Sequence, residues 1–275
     1  MDHAPVYSVL GMSVAGGMAG ALLQGGEPRL LELLSGLMVL MGIASYVALR
    51  WIQAPYGRYA SAAFGFPVPA RLAWFLQELP SLCIPIALLL YSSRTPPLPQ
   101  LLLLGAFIAH YVQRTLVFPF LIRGGKPTPF VTFVLAFVFC VYNGYLQGRY
   151  LCTYADYSPD WATEPFFIIG MSVWLLGLVI NIHSDHILRN LRKPGESGYK
   201  IPRGGLFEHV TGANFFGEIV EWAGFAVASW STESAAFAIF TFLVLSSRAQ
   251  QHHQWYLDKF EDYPKSRKML IPFLY

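Results

Sequence analysis

Seven apolar stretches, near residues 30–50, 72–91, 99–122, 129–147, 165–188, 214–230 and 234–258, dominate the chain. A helix of about 17–25 residues is what it takes to cross about 30 Å of hydrocarbon, and in lipid every backbone polar group must find its partner within the chain. The stretches therefore predict an all-α integral membrane bundle of seven transmembrane helices. A Gly- and Ala-rich piece at 6–24, with Gly11, Gly16, Gly17 and Gly20, is a candidate for a short eighth helix. No Lys or Arg precedes it, which argues against a cleaved leader.

Composition agrees. Of 275 residues 55% are hydrophobic and only 13% charged, with a mean hydropathy of +0.44. Soluble domains carry about 25% charged residues, so much of this surface must face lipid. The net charge of +3 is too small for a nucleic-acid footprint. Cys83, Cys140 and Cys152 are scattered without CxxC spacing and read as packing residues. No repeat or linker divides the chain, so one domain over 1–275 is expected.

The loops carry an asymmetric charge. Arg50, Arg58 and Arg71, then Arg123 and Lys126, then Arg189 through Arg203, then Lys259 through Lys268 fall on one side. The alternate loops hold Glu27 with Arg29, then Arg94, then Arg149 among Asp156, Asp160 and Glu164, then Glu233. By the positive-inside rule, the loop near 189–212 and the C-terminus are cytosolic, and the N-terminus is outside with seven spans or inside with eight.

Ionisable groups inside a span cost about 2.5–3.5 kcal/mol each and need a partner or a purpose. Residues three or four apart share a helix face. Asn181, Asp185, Arg189 and Arg192 form one such stripe, Asn214, Glu218, Glu221 and Trp222 a second, and Arg248, His252 and Tyr256 a third. Glu78 sits deeper, with Gln77 before it, and His110, Tyr111 and Arg114 share the next span. Interhelical glue and snorkelling are the plain alternatives. Together the stripes describe an apolar pocket with a carboxyl and a phenol at its floor and a cationic mouth on the cytosolic side.

Several chemistries drop out. The seven histidines make one HxxH, His183 with His186, which is too few ligands for a di-iron centre, and no metal is expected. There is no GxSxG elbow and no GxGxxG after a strand. A dinucleotide would have to be held by helix ends and loops, with Arg and Lys on phosphates and Asn, Asp and Glu on hydroxyls and amide. Residue chemistry alone reaches a membrane enzyme or carrier with a cationic cytosolic cleft.

The runs LAWFLQELPS (72–81), HYVQRT (110–115), NGYLQG (143–148), NIHSDHILRNLRKPGE (181–196), IPRGGLFEHVTGANFFGEIVEWAGFA (201–226) and FEDYPKSRKMLIPF (260–273), in this order, resemble the steroid 5α-reductases, with the type 2 enzymes and bacterial homologues as expected neighbours. The resemblance covers most of the chain from about residue 56. It implies NADPH as hydride donor and reduction of the Δ4 double bond of a 3-oxo-Δ4 steroid, in a bacterial inner membrane or the endoplasmic reticulum, with no nucleic acid partner. Position by position, it implies that Gln77, Glu78 and Tyr111 are catalytic and that Trp74 lines the steroid pocket beside Glu78 and Tyr111. It assigns the cofactor to Arg114, Asn181, Asp185, Arg192, Tyr199, Asn214, Glu218, Trp222, Arg248, His252 and Tyr256. Arg123, Lys126, Tyr56 and Arg58 match loop positions that meet phosphate. An enone or enoyl reductase for a polyprenol-like lipid or thioester, and a lipid carrier, are the competing readings.

Overall fold

A computed structural model describes residues 26–92, 95–193 and 195–275, so the candidate helix at 6–24 lies outside the described residues. Among the described residues seven long helices follow one another. They are α1 (Gly26–Ala48), α2 (Ala70–Leu90), α3 (Leu98–Leu121), α4 (Phe130–Tyr154), α5 (Pro165–Asn190), α6 (Ala213–Ser229) and α7 (Thr232–Lys259). Each predicted apolar stretch lands on one of them. The first five are long and apolar enough to cross a membrane, which makes this a helical membrane protein. The other two fall short: α6 has only 17 residues, and α7 carries Arg248, His252 and His253 in its second half.

Glycine sets the closest contact in the bundle, between α5 and α6. A Cβ on Gly177 would lie 2.2 Å from the backbone nitrogen of Glu221, and one on Gly217 2.5 Å from that of Asn181. Gly170 and Gly224 repeat the relation one step outward, at 2.4 Å from Ala228 N and 2.3 Å from Trp174 N. Small residues let two helices touch backbone to backbone, which is how apolar helices gain packing energy when the surrounding solvent is equally apolar. As a result, the polar faces Asn181–Asp185 and Asn214–Glu218 stand side by side.

α2 and α4 pack along each other, and a two-residue antiparallel ribbon, β1 (Pro67–Val68) with β2 (Thr128–Pro129), ties their starting loops together. A π-turn at Gln113–Val117 interrupts α3 immediately after His110 and Tyr111. Such turns add a residue to the helix and re-aim the side chains around it, and they recur at functional sites. At the far end of α1, Glu27 accepts from Arg149 Nε and Nη2 at 2.8 and 2.6 Å and from the Tyr145 and Tyr154 hydroxyls, each at 2.5 Å. These contacts clamp α1 to α4 at the end opposite the basic loops.

The chain's last residues fold back under the basic end. Lys268 N donates to the His209 carbonyl at 2.9 Å and Thr211 N to the Lys268 carbonyl at 2.9 Å. Thr211 Oγ1 lies 2.7 Å from the Tyr263 hydroxyl and 2.5 Å from His253 Nδ1. The tail therefore braces the loop that delivers α6.

Candidate functional site

One cavity of about 1050 Å³ runs from the middle of α2 and α3 to the basic end. Its deep part is framed by Trp74, Gln77 and Glu78 on α2 and by His110, Tyr111 and Arg114 on α3. An apolar side formed by Leu135, Phe139, Phe240 and Leu245 faces them. The mouth takes Asp185 and Arg192 from α5, Asn214 and Glu218 from α6, and Arg248, His252 and Tyr256 from α7. Tyr56, Arg58, Arg123, Lys126 and Tyr199 come in from the loops. All the predicted site residues therefore meet in one space except Asn181 and Trp222.

Those two stand behind its wall. Asn181 Nδ2 donates to the Asn214 carbonyl at 3.0 Å and to Glu218 Oε2 at 3.5 Å, so it holds residues that do face the cavity. Trp222 is 1% exposed and packs on His110 with ring centroids 4.6 Å apart and on Tyr111 at 6.2 Å. Trp222 continues the stripe one turn beyond Glu218, and there the rings of Phe107, His110 and Phe237 cover it.

At the floor, Gln77 Nε2 donates to Glu78 Oε1 at 3.3 Å and the Cys140 thiol to Glu78 Oε2 at 3.5 Å. Tyr111 is 4% exposed, and its hydroxyl accepts from Asn143 Nδ2 at 3.2 Å. One helical turn nearer the mouth, Arg114 bridges two carboxylates, at 3.2 Å to Asp185 and 3.7 Å to Glu218. The same guanidinium lies over Trp74 at 4.9 Å and Phe118 at 4.5 Å, so α2, α3, α5 and α6 converge on one cation.

The mouth is different: among the described residues its cations have no carboxylate partner. Arg248 rests on Tyr56 at 3.5 Å, and its Nε and Nη1 are buried without a partner among the described residues. Arg58 is caged by Trp255 at 4.1 Å, Tyr256 at 4.7 Å and Tyr199 at 5.2 Å; its Nη2 reaches the Tyr256 hydroxyl at 3.2 Å, while its Nη1 is buried and unpartnered. His252 is stacked between Tyr59 and Phe215, at 5.4 and 5.6 Å. In the loop before α2, burial pushes the Tyr59 phenol up from its ordinary pKa, so it stays a neutral donor, here to the Gln251 carbonyl at 3.0 Å. Guanidinium groups with idle N–H donors, set among flat aromatic rings, suit a ligand that carries both anionic groups and planar rings. Among the described residues no group of His, Cys, Asp and Glu could hold a metal ion.

Two relationships have no counterpart in the predicted site. His110 pairs with Glu221 at 2.7 Å in the interior, and Asn143 stands behind Tyr111. Both carried a signal: His110 adjoins Tyr111, and Asn143 with Gln147 lies i, i+4 within the NGYLQG run.

A helical membrane fold enclosing a deep polar floor and a cationic, aromatic mouth is that of a membrane enzyme or carrier for a ligand with anionic groups and planar rings. A family model described as 3-oxo-5-alpha-steroid 4-dehydrogenase matches residues 126–275. The chain is similar to 3-oxo-5-alpha-steroid 4-dehydrogenase 1 of Bos taurus, 59% identical over 252 residues that make up 90% of this chain and 98% of the relative. The Homo sapiens type 1 protein is 56% identical over 90% of this chain and 97% of its own length. The Rattus norvegicus type 2 protein is 48% identical over 88% and 96%. The chain belongs to the 3-oxo-5-alpha-steroid 4-dehydrogenase family. Within it, these type 1 proteins are nearer than the type 2 protein, which corrects the expected order.

Proposed function

We propose that this protein reduces the Δ4 double bond of 3-oxo-Δ4 steroids such as testosterone or progesterone, using NADPH, as a single reductase domain spanning residues 1–275. The observation that carries the reading is the joining, in one cavity, of the Glu78 and Tyr111 floor to the idle guanidinium donors of Arg248 and Arg58. The relatives' names denote the same reaction, and the similarity extends over nine-tenths of this chain.

NADPH, when bound, supplies the hydride. The residues fit such a group: Arg58, Arg123, Lys126, Arg192 and Arg248 offer cations for its phosphates, and Tyr56, Tyr199, His252 and Tyr256 offer faces and edges for its rings. Asn214, Asp185, Glu218 and Arg114 offer polar atoms for its hydroxyls and amide, with Asn181 and Trp222 fixing that wall from behind. The basic loops around this mouth support a cytosolic opening and a cytosolic C-terminus.

Conjugate reduction leaves negative charge on the oxygen at C3, and donors aimed at that oxygen stabilise it most when they are pre-arranged away from water. In this reading Tyr111 donates a hydrogen bond to the 3-oxo oxygen, and Glu78 donates beside it in its neutral acid form. Gln77 holds Glu78, Trp74 lines the steroid pocket, and C4 takes its proton from solvent or from this network.

Purified protein in detergent, given NADPH and testosterone, should consume the conjugated enone absorbance and oxidise NADPH in equal amounts. NADPH oxidation with enoyl lipids and none with several 3-oxo-Δ4 steroids would overturn the substrate assignment.

A further inference from the structure

Behind Tyr111, on the side away from the cavity, a chain of buried amides runs along α4. Asn143 Nδ2 is 3.2 Å from the Tyr111 hydroxyl, Gln147 Nε2 is 3.4 Å from Asn143 Oδ1, and the same Gln147 nitrogen is 2.8 Å from the backbone carbonyl of Glu233 at the start of α7. Asn143 is 0% exposed and Gln147 1%, so no bulk water exchanges with these bonds.

The chain has only one consistent direction. A backbone carbonyl can only accept, so Gln147 must turn its NH2 to Glu233. That NH2 then donates its second hydrogen to Asn143, which must present oxygen on this side and NH2 on the other. The Tyr111 oxygen therefore receives a hydrogen bond, and its own proton is left for an acceptor elsewhere. Ser81 does not compete as a donor, because its hydroxyl proton goes to the Cys140 carbonyl at 2.9 Å; its oxygen is the resting acceptor that a substrate oxygen in the cavity replaces.

We propose that Asn143, anchored by Gln147 on the Glu233 carbonyl, is a positioning residue that orients the Tyr111 hydroxyl as a donor into the cavity. An oxygen that accepts one hydrogen bond donates the next more strongly, because bonds in a chain polarise one another. The relay thus sets both the direction and the strength of the Tyr111 donor. It rests on the reading in which Tyr111 polarises the 3-oxo group, and it gives the NGYLQG run a role that its distance from the cavity conceals.

The test is a double-mutant cycle on the full chain in detergent, with testosterone and NADPH. Asn143→Leu keeps the shape and removes the donor. It should lower kcat roughly ten- to hundredfold, less than the ~10²–10³ of a donor in direct contact, with KM for NADPH unchanged. In a Tyr111→Phe background the same substitution should change kcat less than about twofold, because the two residues act as one unit. Gln147→Leu, which frees the amide to flip, should show a smaller loss with the same non-additivity, and it carries the test if Asn143→Leu does not fold. Wild-type kcat in either folded variant, or losses that add in full to that of Tyr111→Phe, would overturn the relay and leave the proposed reaction standing. Full activity of Tyr111→Phe would instead remove the role of Tyr111, and the relay with it.

Discussion

Nδ1 of His110 lies 2.7 Å from Oε1 of Glu221, with the two side chains 4% and 0% exposed. The carboxylate can only accept, so Nδ1–H donates and the imidazole is fixed in one tautomer. Removing one member of such a pair leaves the other buried without its partner, at a cost of about 3–5 kcal/mol. Glu221→Ala should therefore lower the thermal midpoint of the purified protein sharply. Glu221→Gln, which still offers an oxygen to Nδ1–H, should recover most of that loss. Equal midpoints for the two variants would show that the hydrogen bond is not what matters there.

The floor and the mouth of the cavity should separate in mutational kinetics. Glu78→Gln and Tyr111→Phe should each lower steroid turnover by about 10²–10³ while NADPH still binds, since donors aimed at a developing oxyanion act in the transition state. Arg192→Ala and Arg248→Met should act on the cofactor instead and weaken its binding roughly tenfold or more, as expected for a lost charged hydrogen bond. Binding is read by equilibrium titration and turnover by loss of enone absorbance. If Arg248→Met lowers kcat at saturating NADPH and leaves binding intact, the assignment of the mouth to phosphate is wrong.

Much of this cavity can be read from spacing alone. Arg248, His252 and Tyr256 repeat every four residues, which puts them on one face of a helix, and the cavity receives all three. Glu78 stands out as a carboxyl in an apolar stretch, and it lies at the floor. Spacing says nothing about which neighbour a stripe will meet, so Glu221 shares a stripe with Glu218 yet turns inward to His110. Asn181 shares a face with Asp185, but the approach at Gly217 takes it out of the cavity and against α6. The number of membrane crossings was also beyond reach. Seven apolar stretches became seven helices, but α7 is too polar for length alone to decide that it crosses.

Backbone contact between α5 and α6 should make Gly177 intolerant of the smallest change. A Cβ there would meet the Glu221 backbone nitrogen at 2.2 Å and the Gly217 carbonyl oxygen at 2.6 Å, and backbone cannot step aside as a side-chain tip can. Gly177→Ala must push the helices apart and draw Glu221 from His110, at a cost of at least the ~1–3 kcal/mol of ordinary overpacking. Gly36→Ala on α1 adds a methyl with nothing within 4 Å and should be nearly silent. Thermal unfolding of the two variants side by side measures the difference, and equal midpoints would mean that the α5–α6 approach is looser than it stands.

Acid should loosen the C-terminal tail before it unfolds the bundle. Glu208, in the loop before α6, accepts from the backbone N–H of Gly204 and lies 3.6 Å from Arg267 and 3.8 Å from Arg203. The Gly204 bond first, and then the two arginines, hold its carboxyl below the ordinary glutamate range. A carboxyl whose folded pKa is lowered contributes stability that is complete above its unfolded value, about 4.3, and is lost as the pH falls through the lowered folded value. Arg267 is the sensitive partner, because its side chain is fully enclosed while Glu208 is 44% exposed. Protonating Glu208 leaves that enclosed cation without its carboxylate. Hydrogen exchange over residues 265–275 should therefore accelerate below about pH 4, ahead of exchange in α5 and α6. Glu208→Gln should show the faster tail exchange already at neutral pH and no further acid step. A tail whose protection is the same in both proteins at every pH would place its anchor in the Thr211, Tyr263 and Lys268 contacts instead.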